Sequence, residues 1–195
     1  MKYCKSCLQP DTRPNSRFND EGICPACHYA GLVVHVDWQE RYEIMQDLLR
    51  QFPRRKGQHF DCIIGVSGGK DSTRQALFVR DKLGLNPLLA CLSYPPQQVS
   101  ERGVRNVSNL INLGFDVVLS TTAPETWRSL MRESFRRFTN WARSTELALF
   151  ASVPQLAIRY NIPLIFWGEN PGLQVGDLKT LSALASVATP RTRGP

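Results

Sequence analysis

The chain has 195 residues, enough for one core of ordinary size or for one domain with a small appended module. Its 24 Lys and Arg against 17 Asp and Glu leave a net charge of +7, which suits an anionic ligand such as a nucleotide, a sugar phosphate or RNA without choosing among them. No run approaches the ~20 apolar residues of a helical membrane span, and no apolar segment follows the first lysine of MKYCKSCLQPDTRP, so the expected protein is soluble and cytoplasmic, with no membrane partner.

In a reducing compartment the six cysteines do not build a disulfide framework, and clustered thiols read as metal or redox sites. Cys4-Lys5-Ser6-Cys7 and Cys24-Pro25-Ala26-Cys27 are two C-x-x-C pairs around a polar segment, residues 8–23, rich in turn formers. Cys4, Cys7, Cys24 and Cys27 at this spacing can close a tetrahedron around Zn2+, whose binding supplies the folding free energy that so short and apolar-poor a segment lacks. Residues 1–36 are therefore expected to be a zinc-ribbon module, structural by default. Cys24 to His28 also spells the C-x-x-C-H pattern of haem attachment, which belongs to exported proteins. A dithiol redox pair normally sits in a βαβ context, absent before Asp37. His28 reads as a surface or packing residue rather than a fifth ligand.

Trp38, Tyr42, Met45, Leu48, Leu49 and Phe52 recur at helical spacing, and Asp37 with Glu40 forms a capping-box pattern. This predicts a connecting helix, ended by the basic PRRKGQHF, so that residues 37–60 link the cysteine module to the main domain. From residue 61 onward, short apolar runs alternate with helical patterns. Strands are predicted at 61–66, 87–94, 115–121 and 162–167, and helices at 72–83, 100–113, 124–138 and 144–160, the last with Pro154 inside it. Runs rich in Val, Ile and Leu without polar alternation are strands buried on both faces, so residues 61–171 predict an α/β fold, a doubly wound parallel sheet. Residues 172–195 give no convincing fifth strand and are expected to be a divergent, poorly structured tail.

The first strand runs into GVSGGKDST. A Walker loop needs a glycine five residues before Gly69 and a Ser or Thr after Lys70; Ile64 and Asp71 occupy those places. What remains is Ser67-Gly68-Gly69-Lys70-Asp71-Ser72 at a strand end opening a helix. Two glycines let the backbone approach a ligand, and the N–H groups of a helix start favour an anion, so the turn suits a pyrophosphate-sized group. Asp71 can hold Mg2+, and Ser67 and Ser72 can donate to phosphate oxygens. Cys62 and Cys91 lie inside strands and read as small core residues.

The hexapeptide resembles the fingerprint of the PP-loop ATP pyrophosphatases. Together with YCKSCLQPDTRPNSRFNDEGICPAC, Val36-Asp37-Trp38, LGLNPLLA, NLINLGFDV and YNIPLIFWGENP, the chain resembles the N-acetyl sugar amidotransferases of surface-polysaccharide synthesis, including lipopolysaccharide and O-antigen, over most of residues 1–171. The resemblance implies a five-stranded sheet with ATP at the strand C-terminal ends. It also implies conversion of an acetamido group on a nucleotide-linked sugar to acetamidino. The amide oxygen attacks the α-phosphate of MgATP, pyrophosphate leaves, and ammonia from a partner glutaminase displaces AMP. By motif, Ser67, Gly68, Gly69, Asp71 and Ser72 bind the pyrophosphate and its Mg2+, and Lys70 neutralises charge. Gly168, Glu169 and Asn170 face the ATP, with Glu169 a metal or substrate ligand, and Leu92 and Ser93 lie near the adenine. Arg128, Arg132 and Arg136, stacked on one helix face, either meet the sugar-nucleotide diphosphate or form a solvated face.

Two other functions compete. A tRNA thiolation enzyme also combines a PP-loop with C-x-x-C pairs and fits the basic charge, but needs a reactive cysteine near the nucleotide; nucleic acid is not the expected partner. A noncatalytic zinc-ribbon and nucleotide-binding remnant is the other, because the family's chains run past the GENP segment and this one is expected to be a truncated copy.

Overall fold

The computed structural model describes residues 1–12 and 16–168. Glu169, Asn170 and the 172–195 tail, for which the sequence carried expectations, lie outside the described residues. The chain divides into two compact units, the first including residues 1–43 and the second Ile44–Gly168.

In the first unit Tyr3 and Pro10 form an isolated antiparallel bridge, closed by the Cys4 N–H to Gln9 oxygen bond (2.8 Å) and the Leu8 N–H to Cys4 oxygen bond (3.0 Å), with Leu8 in the left-handed region. A second turn, held by the Asn19 carboxamide accepting from the Ile23 N–H at 2.8 Å, delivers the chain to Cys24. There helix α1 (Pro25–Val33) begins, a helix the sequence reading did not contain. Its N-cap is Cys24, whose sulfur accepts from the Cys27 N–H, and proline stands at the first helical position, where its missing N–H costs nothing. Helix α2 (Trp38–Arg50) is capped as the Asp37-Glu40 pattern predicts: the Asp37 carboxylate accepts from the N–H groups of Gln39 (2.9 Å) and Glu40 (3.1 Å).

The second unit is a parallel sheet. Strand β1 (Cys62–Gly65) is followed by α3 (Lys70–Asp81), β2 (Pro87–Ser93), α4 (Glu101–Asn112), β3 (Val117–Thr121), α5 (Pro124–Phe138), α6 (Arg143–Arg159) and β4 (Ile165–Phe166). The spatial order is β3-β2-β1-β4, with every neighbouring pair parallel. Each helix starts and stops within two residues of where its apolar period and caps place it. β4, however, is a two-residue strand rather than the 162–167 run, because the Ile162 N–H is bonded to the Ala157 carbonyl (2.8 Å) and closes the end of α6 instead. The resemblance implied five strands; the described residues contain four.

Side chains alternate across the sheet and both faces are buried. Cys62, Ile64 and Val66 from β1 with Leu89 and Cys91 from β2 meet Ala76 and Val79 of α3 and Leu110 of α4. Ile63, Leu88 and Ala90 point the other way, onto Val153 and Ala157 of α6. Cys62 and Cys91 are core residues, as expected, and burial pushes the Cys62 thiol up to about 12 and raises that of Cys91. α5 and α6 form a hairpin whose turn is pinned by the buried Ser134 hydroxyl, which donates to the Asn140 carbonyl (2.7 Å) and accepts from the Ser144 N–H (3.2 Å).

The start of β1 is anchored by Asp61, whose buried carboxylate pairs with both Arg54 Nε (2.6 Å) and Nη2 and accepts from the Asn86 N–H (2.7 Å). The Arg54 bond holds its pKa below the ordinary aspartate value. A carboxyl whose folded pKa is depressed stabilises the fold fully above its unfolded pKa and loses that contribution as pH falls through the folded one. Asp61→Asn is therefore expected to lower stability by roughly 1–2 kcal/mol at neutral pH, half of the pair being solvent-exposed. Urea midpoints of wild type and variant should converge as pH drops below the carboxylate range; a constant gap would show that the ion pair contributes nothing.

Candidate phosphate-binding site and metal centre

The β1–β2–β3 windings place α3 and α4 on one face of the sheet, whereas α6, on the way to β4, packs on the other. The chain thus reverses direction across the sheet at β1, between β2 and β4. Ligands of open α/β sheets bind at the strand C-terminal ends at such a switch point, and the residues there are Val66 to Lys70.

Gly68 has φ +74°, and a Cβ placed on it would lie 2.7–2.9 Å from the backbone carbonyl and Cβ of Asn106 in α4. Only glycine fits. Gly69 is the N-cap of α3 with ordinary φ, and it caps through no side chain. The Ser67 hydroxyl accepts from the Gly69 N–H at 3.4 Å. The Ser72 and Thr73 hydroxyls donate back to the carbonyls of Gly69 (3.2 Å) and Gly68 (3.4 Å), lashing the loop to the helix it opens. Thr73 makes the first helical N–H bond, to Gly69 oxygen at 3.0 Å, so the amides of Lys70, Asp71 and Ser72 precede the helical ladder. Amides outside the helical ladder, a helix dipole and an exposed lysine are features that suit an anion at this edge.

The other site residues named from sequence are distributed as follows. Ser67, Lys70 and Asp71 are exposed at the loop and the first turn of α3, and Ser72 is half-buried. Leu92 and Ser93 are half-buried at the end of β2, one strand over. Gly168 follows β4 and comes up against α3: a Cβ there would lie 2.9 Å from Gln75 Oε1. Arg128, Arg132 and Arg136 are exposed on α5, and Arg128 pairs with Glu125 at 2.7 Å, a solvated face. Asn106 and Gln75 escaped the sequence reading because each acts through a contact distant in the chain. The one available signal was the glycine at 68, which announces a close neighbour without naming it.

The Sγ atoms of Cys4, Cys7, Cys24 and Cys27 all lie within 4.8 Å of one another, with Cys7 to Cys24 at 3.6 Å. A tetrahedron with metal–sulfur bonds of about 2.3 Å has edges of about 3.8 Å, so the four sulfurs fit one ion. Multi-iron clusters interpose iron and sulfide between their thiolates and need a wider set. The Cys4 sulfur accepts from the N–H groups of Cys24 (3.2 Å) and Ser6 (3.4 Å). Burial raises the Cys4 pKa, but backbone N–H donors from Cys24, Cys7 and Ser6 outweigh it and bring the thiol down to about 6. Burial, with the other thiols acting in the same direction, pushes Cys24 up to about 12. Four sulfurs this close cannot all ionise without a cation among them.

No protein-family model and no curated protein sequence matches the chain. Solved structures do. An ammonia-dependent NAD synthetase from Campylobacter jejuni, in complex with the nitrate ion, superposes with a TM-score of 0.50 at 19% identity over 72% of this chain and 61% of its own. The fold is of the PP-loop type. An NMN synthetase from Francisella tularensis (TM-score 0.43, 20% identity, 68% of this chain and 55% of that one) is more distant. So is a predicted subunit of tRNA methyltransferase from Methanocaldococcus jannaschii (0.42, 20%, 65% and 64%). The chain spans about 61% of the length of the Campylobacter synthetase, and at these identities the likeness carries the PP-loop fold alone.

Proposed function

We propose that the chain is an ATP-dependent amidotransferase that converts the acetamido group of a nucleotide-linked sugar to acetamidino, in the cytoplasmic synthesis of surface polysaccharide. The observation that supports it best is the SGGKDS loop at the switch point, with Gly68 pressed on α4 and three amides presented to an anion. An amide oxygen is a poor leaving group. Its attack on the α-phosphate of ATP expels pyrophosphate and makes an O-adenylyl imidate; ammonia then adds at the imidate carbon and AMP leaves with the oxygen. The loop amides would hold the departing pyrophosphate, with Asp71 on its Mg2+ and Lys70 offsetting charge. Gly168 would form the opposite wall, with Glu169 and Asn170 following it in the chain. A glutaminase partner would supply ammonia, and that the Campylobacter synthetase is ammonia-dependent accords with this. Zn2+ is the ion we assign to the four cysteines, as a structural centre.

The test is to supply the full chain with MgATP, ammonium and a panel of nucleotide-linked N-acetyl sugars. AMP and pyrophosphate should appear in equal amounts, only when sugar and ammonium are both present, and the sugar should lose an oxygen and gain NH. Release of ADP, or AMP formation indifferent to ammonium, would overturn the reading.

One observation favours tRNA thiolation as a second reading. The α5–α6 turn displays Phe135, Phe138 and Trp141, each about half exposed, among Arg132, Arg136 and Arg143, with the Arg143 guanidinium 4.2 Å over the Phe138 ring. Aromatic rings interleaved with arginines suit single-stranded RNA. Against it, Cys62 and Cys91 are buried with raised pKa values and cannot serve as sulfur carriers without opening the core. Salt-sensitive tRNA binding lost on Trp141→Ala would favour this second reading.

A further inference from the structure

Helix α4 is held to the loop and to α3 at two points. Asn106 abuts Gly68 of the loop, and the Leu113 carbonyl at the helix end accepts from Arg80 Nη1 of α3 at 2.6 Å. Arg102, Asn106 and Leu110 are spaced i, i+4, i+8 and form one row along α4, in which Leu110 is buried in the core with α3 and Asn106 meets the loop. Both helices descend from the C-terminal edge of the sheet, because each connects one parallel strand to the next. Arg102, one turn before Asn106, therefore stands toward that edge, one turn beyond the residue that meets the loop. Its guanidinium can cross one helical turn to reach an anion held there.

Two other arginines of α3 and α4 are engaged elsewhere. Arg105 pairs with Glu101 and Arg80 with Asp81. Arg102 is exposed and has no ion-pair partner among the described residues. We propose that Arg102 is a phosphate ligand of this site, closing on the pyrophosphate portion of the bound nucleotide from the α4 side. The proposal rests on the reading of the loop as a nucleotide site and deepens it. The loop supplies neutral amides and one flexible lysine, whereas a guanidinium adds a planar fork that matches two phosphate oxygens at once. Asn106 would set its distance, since the contact with Gly68 fixes α4 against the loop.

Calorimetric titration of the full chain with Mg2+-pyrophosphate and with MgATP tests this. Arg102→Ala is expected to weaken both ligands by roughly 10- to 100-fold, the usual range for losing a charge-assisted bond. Arg102→Lys should fall between, keeping the charge without the fork, and Arg105→Ala, which removes the same charge three residues away, should bind within about twofold of wild type. Arg102→Ala binding as wild type does, or no more weakly than Arg105→Ala, would overturn the assignment while leaving the loop a nucleotide site. A wild-type chain that binds neither ligand would overturn the loop reading, and Arg102 with it.

Discussion

Removing the metal, or replacing Cys24 with serine, is expected to unfold the first 43 residues and leave the sheet intact. Among the described residues of that unit only Cys4, Ser16, Cys24 and Pro25 are buried, and α1 and the helix after it contribute exposed side chains such as Leu32, Val34 and Trp38. Such a segment has too little apolar surface to offset its chain entropy. Structural zinc in small cysteine modules contributes about 10–16 kcal/mol, far more than the packing available here. Cys24 is the most sensitive ligand, since it also caps α1: serine could still cap the helix but would be a poor fourth ligand. Chelation followed by circular dichroism and by proton NMR should show loss of the dispersed amide signals of residues 1–43. The cores between Phe60 and Phe166 contain none of these residues and should keep their signals. A module that stays folded in chelator would refute a structural metal.

Gly68→Ala is the second large effect. An alanine there must hold a left-handed backbone, at about 1–2 kcal/mol, and must drive its methyl into the Asn106 backbone, which cannot swing aside as a side-chain tip would. Together these predict a loss of roughly 2–4 kcal/mol in denaturant stability. Whatever part is relieved by shifting the loop moves the α3 amides off their aim, so MgATP binding should fall by about 100-fold. Gly69→Ala supplies the contrast: its φ is ordinary and its Cβ would meet only Ser67 Oγ at 3.4 Å. Equal effects at the two positions would remove the distinction between a packed glycine and a merely small one.

Both sites show in the sequence, and the residues around them show less. The SGGKDS loop was legible because its requirements are local: a strand, a tight turn and a helix start in consecutive residues. The C-x-x-C pairs were legible because ligand spacing is itself the signal. Helix α1 was not, since PACHYAGLV carries no apolar stripe and its cap is a cysteine rather than the usual Ser, Thr, Asp or Asn. Asn106 and Arg102 were hidden because their importance arises only when α4 packs beside the loop. β4 was overread, since Ile162 and Ile165 look alike in a one-dimensional pattern although the first closes the end of α6 and only the second pairs with β1. Nor could periodicity single out Arg128, the member of the α5 arginine face that pairs with Glu125.

The six cysteines also give the protein a built-in record of its own unfolding. Four gather around one point in the first unit and two are sealed between the sheet and its covering helices in the second. A thiol-modifying reagent should therefore label the chain in two instalments. The first reports departure of the ion, and the second, arriving only when α3 and α4 leave the sheet, reports collapse of the core. Mass spectrometry of partly labelled protein would time each event separately in one sample, with no engineered probe.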